Sequence, residues 1–291
     1  MRLAGGALRW VTVVLCAPLA AGCAAHLQSS HDPSPVVHEE PAEELAPAPT
    51  PARAPAPPVQ TGAAREVLLG TSAKGEPIKL YLFGDLIEDA AAGGATVRTL
   101  VIAAIHGDEP TAAYVGQKLV DCLREHPELT AARGATVGVI PLANPDGVAL
   151  KTRTNANGVD ANRNFPASNW RATRPGRNFT GPSPASEPET RAVMRAIQTL
   201  RPARVVSIHS PLRCNNFDGP PAALALAQLM SQYNGYSVEA SIGYATPGSF
   251  GTWAGVDRGI PVVTLELPPH TPGERAWQQN RDALIAVLQA P

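Results

Sequence analysis

Thr99-Leu100-Val101-Ile102-Ala103-Ala104-Ile105 runs directly into His106-Gly107-Asp108-Glu109, and Pro110 follows. The apolar run describes a buried central strand, and Pro110 suits the first turn of a helix. The stretch therefore predicts a strand-to-helix turn carrying an imidazole and a carboxylate three positions apart. Both groups bind zinc, and two donors from one turn lower the cost of ordering a site. Val205-Val206-Ser207-Ile208-His209 offers a third donor at the end of another apolar run. A His-x-x-Glu pair by itself is more often a surface pair than a ligand pair. Position changes that reading, because ligands of open α/β sheets gather outside the carboxyl ends of the strands. One zinc ion held by His106, Glu109 and His209, with a fourth position open for chemistry, is the expectation.

The rest of the body alternates in kind. Residues 67–69 and 78–83 read as a hairpin around Lys74-Gly75-Glu76-Pro77. A helix follows Pro110 and ends before His126-Pro127, with Ala113, Val115, Leu119, Val120 and Leu123 as its apolar stripe. Strands are expected at 98–105, 136–140, 204–208 and 262–267, and further helices up to about residue 200, at 222–233 and at 272–289. Ser186-Glu187-Pro188-Glu189 has the pattern of a capping box opening the first of these. Residues 141–147 read as a turn and 151–181 as a long irregular stretch, which inside a compact domain is usually functional or disordered. The fold class is α/β, a mixed, largely parallel sheet with helices on both faces.

The chain ends read differently. Arg2 and Arg9 precede an apolar run at 10–21, and Ala20-Ala21-Gly22 stands before Cys23. That is a secretory signal, and small residues before a cysteine resemble the bacterial lipoprotein type, with Cys23 as the lipidated residue and residues 1–23 as the signal. Leu19 sits one place early for that pattern, so an ordinary cleaved signal or an uncleaved anchor is the alternative. Either way the protein is expected to be exported, a membrane-anchored lipoprotein facing the periplasm or cell wall on the first reading. Residues 24–64 hold nine prolines in 41 positions, many alternating with alanine, and form a disordered tether. At ~3.1 Å per residue its reach is on the order of 120 Å. His26, His31 and His38 are solvated tail residues. Residues 65–291 suffice for one catalytic domain. The net charge of −1 argues against a nucleic-acid partner. Cys122 and Cys214 are read as buried free thiols.

Glu266 lies within Val262-Val263-Thr264-Leu265-Glu266-Leu267, where a carboxylate is costly to bury unless paired or near a metal. It reads as a general base, against the plainer alternative of a strand-edge residue facing solvent. In Asp160-Ala161-Asn162-Arg163-Asn164-Phe165, Arg163 with Asn162 suits a substrate carboxylate, because a guanidinium fork matches that shape. Arg153 suits an oxyanion. Without the other groups both arginines would be surface residues. Asp108 and Asp146 read as turn formers, His126 as a helix-end residue, His270 as a loop residue, and Trp170 and Trp253 as packing.

These stretches, with Asn144-Pro145-Asp146-Gly147, Arg153-Thr154-Asn155 and Ile208-His209-Ser210-Pro211, resemble the zinc metallocarboxypeptidase family, and within it the murein peptide amidase branch. The resemblance covers roughly residues 100–267. It implies zinc on His106, Glu109 and His209, Glu266 as the catalytic carboxylate, Arg153 at the oxyanion, and Asn162 with Arg163 at the substrate's terminal carboxylate. It further implies that Asp160 orients the first zinc histidine. The family's mobile tyrosine matches Tyr244, with Tyr236 as fallback. Ala161 departs from the leucine that many members carry.

The resemblance implies a peptidase or amidase acting next to a residue with a free carboxylate, the substrate being a peptide or peptidoglycan fragment. The bond it suggests joins γ-D-glutamate to meso-diaminopimelate. A deacylase of small N-acyl amino acids and a non-catalytic wall-binding lipoprotein are the rival readings. Gly251 and Thr252 fall near the specificity pocket and carry no charge, so selection of the departing residue is expected elsewhere, with residues 171–177 as the candidate loop.

Overall fold

The aliphatic runs pair into one eight-stranded sheet in the computed structural model, which describes residues 64–84, 97–131 and 135–291. The signal segment, Cys23 and the tether up to residue 63 lie outside the described residues. In chain order the strands are β1 (Arg65–Thr71), β2 (Pro77–Phe83), β3 (Arg98–Ala103), β4 (Thr136–Ile140), β5 (Arg204–His209), β6 (Cys214–Asp218), β7 (Ser237–Glu239) and β8 (Val262–Glu266). Their order across the sheet is β1-β2-β4-β3-β5-β8-β6-β7. The centre, β4-β3-β5-β8, is parallel. The β1–β2 hairpin flanks it antiparallel on one side, and β6 lies antiparallel to β8 on the other.

Helices cover both faces, as expected. The main ones are α1 (Pro110–Glu125), α4 (Pro188–Leu200), α5 (Pro221–Asn234) and α6 (Gly273–Gln289), with short α2 (Glu128–Ala131) and α3 (Pro145–Leu150). Because successive side chains of a strand point to opposite faces, the central strands feed two cores. Val101, Ala103, Val206, Ile208, Val263 and Leu265 pack under α1, α5 and α6. Leu100, Ile102, Val205 and Val262 pack under α4, together with Phe165, Phe250 and Trp253.

Three details differ from the sequence reading. The helix α4 begins at Pro188 with Glu187 at its N-cap and no side-chain cap bond. Ser186 instead donates to Glu187, and Glu189 accepts from the Ala73 N–H and from Asn155, so the capping box does not form. Residues 145–147, read as turn, open α3, whose N-cap Asn144 accepts from the Gly147 N–H at 2.9 Å. Asp146 is buried and accepts from Ser72 and the Lys74 N–H, which ties the hairpin turn to α3. Finally, β6 and β7 were not expected at all. Cys214-Asn215-Asn216-Phe217-Asp218 is too polar to read as a strand, but β8 offers it an edge to pair with.

Candidate metal centre and active site

The site forms where the parallel strands β3, β5 and β8 end. At the exit of β3, Ala104 takes a left-handed φ of 54°, which turns the chain sharply before His106. The Asn144 side chain donates to the carbonyl of Ile105 and braces that turn from the neighbouring segment. The brace is close: a Cβ on Gly107 would overlap the backbone of Gly147. Glu109 is the N-cap of α1 without capping it, so its carboxylate is free to face inward. In parallel register, His209 at the end of β5 stands beside Glu266 at the end of β8.

His106, Glu109 and His209 converge there, all buried. The two Nδ1 atoms are 3.2 Å apart, and they lie 2.8 and 3.1 Å from the two oxygens of Glu109. For zinc with bonds of ~2.0–2.1 Å, adjacent ligand atoms of a tetrahedron sit roughly 3.4 Å apart. The residues present therefore fit such an ion in both donor type and spacing. Their other ring nitrogens are held from behind. His106 Nε2 faces Asp160 Oδ1 at 3.1 Å, and His209 Nε2 faces Ser207 Oγ at 3.0 Å. A carboxylate can only accept, so His106 carries its hydrogen on Nε2 and keeps the Nδ1 lone pair for the metal.

Asp160 links several of the expected groups. Besides His106 it accepts from Arg153 Nε at 2.9 Å and from the Asn162 N–H, which caps the 3₁₀ turn Ala161–Arg163. Burial alone would raise its pKa, but attraction from His106 and Arg153 overrides that and holds its carboxyl far below the usual range. Burial also opposes a charge on His106, yet Glu109 and Asp160 raise its pKa to about 9. A metal ion entering the site takes the place of that extra proton. Burial pushes Glu266 up, with His209 and the Leu212 N–H pulling the other way.

The adjoining pocket, of about 450 Å³, is lined by the metal-site residues together with Arg153, Asn162, Arg163, Tyr244 and Glu266. Arg163 is buried, and Asn162 spends its side-chain oxygen on the Phe250 N–H, so its amide NH₂ is left over. Tyr244 is exposed at the pocket and close enough to act on Arg163 electrostatically. The fallback fails: Tyr236 is buried beneath α6, its hydroxyl bonded with Gln279 and Asn280, away from this pocket. Of residues 171–177, Arg177 alone lines the pocket, and it pairs with Asp108.

Two residues of the site were missed. Ser207 lies two before His209 and hence on the same strand face, a signal that alternation alone carries. The other is Asp218, at the end of β6. It lines the pocket against Gly251, where a Cβ would overlap its carboxylate. No donor among the described residues bonds to it, and burial pushes its pKa up.

A family model described as zinc carboxypeptidase matches residues 61–217. The chain belongs to the zinc carboxypeptidase family. Zinc is thus the metal that the His-Glu-His cluster fits. The chain is 38% identical over 186 residues to murein peptide amidase A of Escherichia coli K12, covering 58% of this chain and 71% of that protein. It is 38% identical over 204 residues to murein peptide amidase A of Vibrio campbellii, covering 66% of this chain and 77% of that one. The crystal structure of murein-tripeptide amidase from Escherichia coli O157 superposes with a TM-score of 0.63 at 32% identity, over 81% of this chain and 97% of the other. A carboxypeptidase A from Helicoverpa armigera, 19% identical with a TM-score of 0.65, shares the fold.

Proposed function

We propose that this protein is a zinc-dependent amidase that cleaves γ-D-glutamyl–meso-diaminopimelate bonds in peptidoglycan peptides. The observation that carries the substrate reading is the pairing of charges in one pocket: Arg163 for an anion and Asp218, without a partner, for a cation. The residue released from this bond carries a free carboxylate beside the scissile nitrogen and an ammonium at its far end. An unpaired, half-buried carboxylate is costly unless its counter-charge arrives with the ligand. The names of the amidase relatives support the same substrate class.

The roles follow from position. Bound zinc would supply Lewis-acid polarisation and an acidified water. Arg163 and the Asn162 amide hold the carboxylate of the departing residue and so fix which bond lies at the metal. Arg153, clamped through its Nε by Asp160 and with Nη1 3.7 Å from Glu109 Oε1, holds its guanidinium beside the metal site for the negative charge that develops on the carbonyl oxygen. Glu266 takes the proton of the attacking water and later hands it to the leaving amine; burial makes it a stronger base than an exposed carboxylate. Tyr244, exposed at the rim, covers the bound substrate.

Export and lipid anchoring at Cys23 complete the proposal. They rest on the basic start, the apolar run and the small residues before the cysteine, and they suit a wall-derived substrate held near a membrane. Incubation of the zinc-loaded protein with a murein tripeptide and with N-acyl amino acids, following released amine, tests the reading. Amine released from the tripeptide supports it. Release from the N-acyl amino acids alone moves the protein to the deacylases, and release from neither leaves a binding protein.

A further inference from the structure

Beyond the loop at Leu212 lies a second cleft, of about 600 Å³, between the end of α5, the segment after β8 and the start of α6. Arg213, His270 and Arg275 line it, and no aspartate or glutamate does. Among the described residues these three make no ion pair and no hydrogen bond. Arg213 nevertheless has one neighbour, the ring of Tyr236. Its guanidinium lies 5.5 Å from the ring centroid of Tyr236, which is itself buried and bonded. Arg213 and His270 both hold left-handed φ values, 52° and 53°, a conformation that ordinary side chains disfavour and that tends to collect at functional sites. Arg275 stands in the first turn of α6, the end where the helix dipole disfavours a cation. Three basic side chains thus share one cleft that no acidic side chain lines.

The cleft also starts beside the chemistry. The Leu212 N–H donates to Glu266, and Arg213 is the next residue; Pro268, which also lines the cleft, follows Glu266 by two. Two residues span at most about 7 Å. Asn162, Arg163 and Tyr244, which serve the departing residue, line the first pocket and not this one. A substrate that extended past Glu266 into the second cleft would do so with its acyl part.

We propose that this cleft is an acyl-side subsite that binds a carboxylate on the acyl portion of the substrate. The inference rests on the amidase reading above, and deepens it: a glutamyl residue linked through its γ-carbonyl keeps its α-carboxylate free on that side of the bond. Arg213 and Arg275 receive this carboxylate, and His270 donates a hydrogen bond from the facing loop.

Calorimetric titration of the zinc-loaded protein with L-alanyl-D-glutamate and with its α-amide, L-alanyl-D-isoglutamine, tests this. Both keep the γ-carboxylate that cleavage would leave, and they differ only in the group at issue. The free acid should bind about tenfold more tightly, the effect of one charge-assisted pair at a partly open site. In the Arg213→Gln/Arg275→Gln variant the two affinities should become equal, with the melting temperature unchanged because both side chains are exposed. Equal affinities in the unaltered protein, binding of neither dipeptide, or a preference that survives in the variant would overturn the proposal. Hydrolysis of γ-glutamyl peptides without any preference for the acid sinks the subsite alone. A preference for the acid without any hydrolysis supports the subsite and sinks the amidase reading.

Discussion

Replacing Asp218 by Asn isolates the charge in the departing-residue pocket without changing its shape. With no donor to Asp218 and Gly251 packed against it, the amide fits where the carboxylate was. A hydrogen bond between charged partners contributes about 1.5–3 kcal/mol. Asp218 is half-buried in a pocket open to water, so the lower end applies, and ~1.5–2 kcal/mol corresponds to roughly 10- to 30-fold in kcat/KM. The assay compares γ-D-glutamyl–meso-diaminopimelate with γ-D-glutamyl–2-aminopimelate, which lacks only the distal amine. The unaltered protein should favour the first by that factor, and Asp218→Asn should remove the preference by slowing the first substrate alone.

The same substitution makes a second, independent statement about stability. Burial raises the pKa of Asp218 in the folded protein above its unfolded value. The ionised carboxylate therefore destabilises the fold at neutral pH, and that penalty fades as pH falls through the folded value and is absent below the unfolded one. Asp218→Asn should melt higher than the parent at pH 7, and the gap should narrow in acid. Equal turnover of both substrates by the parent, together with an unchanged melting temperature at pH 7, refutes the account of this pocket.

Three further outcomes follow from the geometry. Glu266→Gln should lower kcat by about a thousandfold or more while bound zinc, measured by metal analysis, stays at one ion per chain; full activity in that variant would refute Glu266 as the base. Ser207→Ala removes the group behind His209 Nε2 and should weaken zinc binding about 10- to 100-fold in competition with a chromogenic chelator. Gly107→Ala drives a methyl group into the backbone of Gly147, where nothing flexible can yield. It should destabilise the fold by about 3 kcal/mol or more in a denaturant titration, and a near-neutral result would mean that the two turns do not touch.

The parts of the site legible in the sequence share one property: each is announced by its own neighbours along the chain. His106, His209 and Glu266 close apolar runs, and a parallel strand buried on both faces is recognisable from such a run alone. Glu109 is fixed relative to His106 by a single turn, and Asp160, Asn162 and Arg163 occupy one 3₁₀ turn. Of the two residues missed, Ser207 is signalled by alternation along its own strand, and the other depends on pairing across the sheet. Asp218 ends a segment whose polar composition hides a strand, and only antiparallel pairing with β8, placing Asn216 opposite Thr264, brings it to the pocket wall. Gly251 lines the pocket and Thr252, read together with it, does not; the lack of charge at both was read as a reason to look elsewhere. At Gly251 the lack of a side chain is the informative fact, since the space it leaves is filled by the Asp218 carboxylate. The capping box failed for a related reason. Glu189 has a local partner in the sequence pattern but a better set of donors in the hairpin turn and Asn155, more than thirty residues away, and a buried carboxylate goes where the donors are.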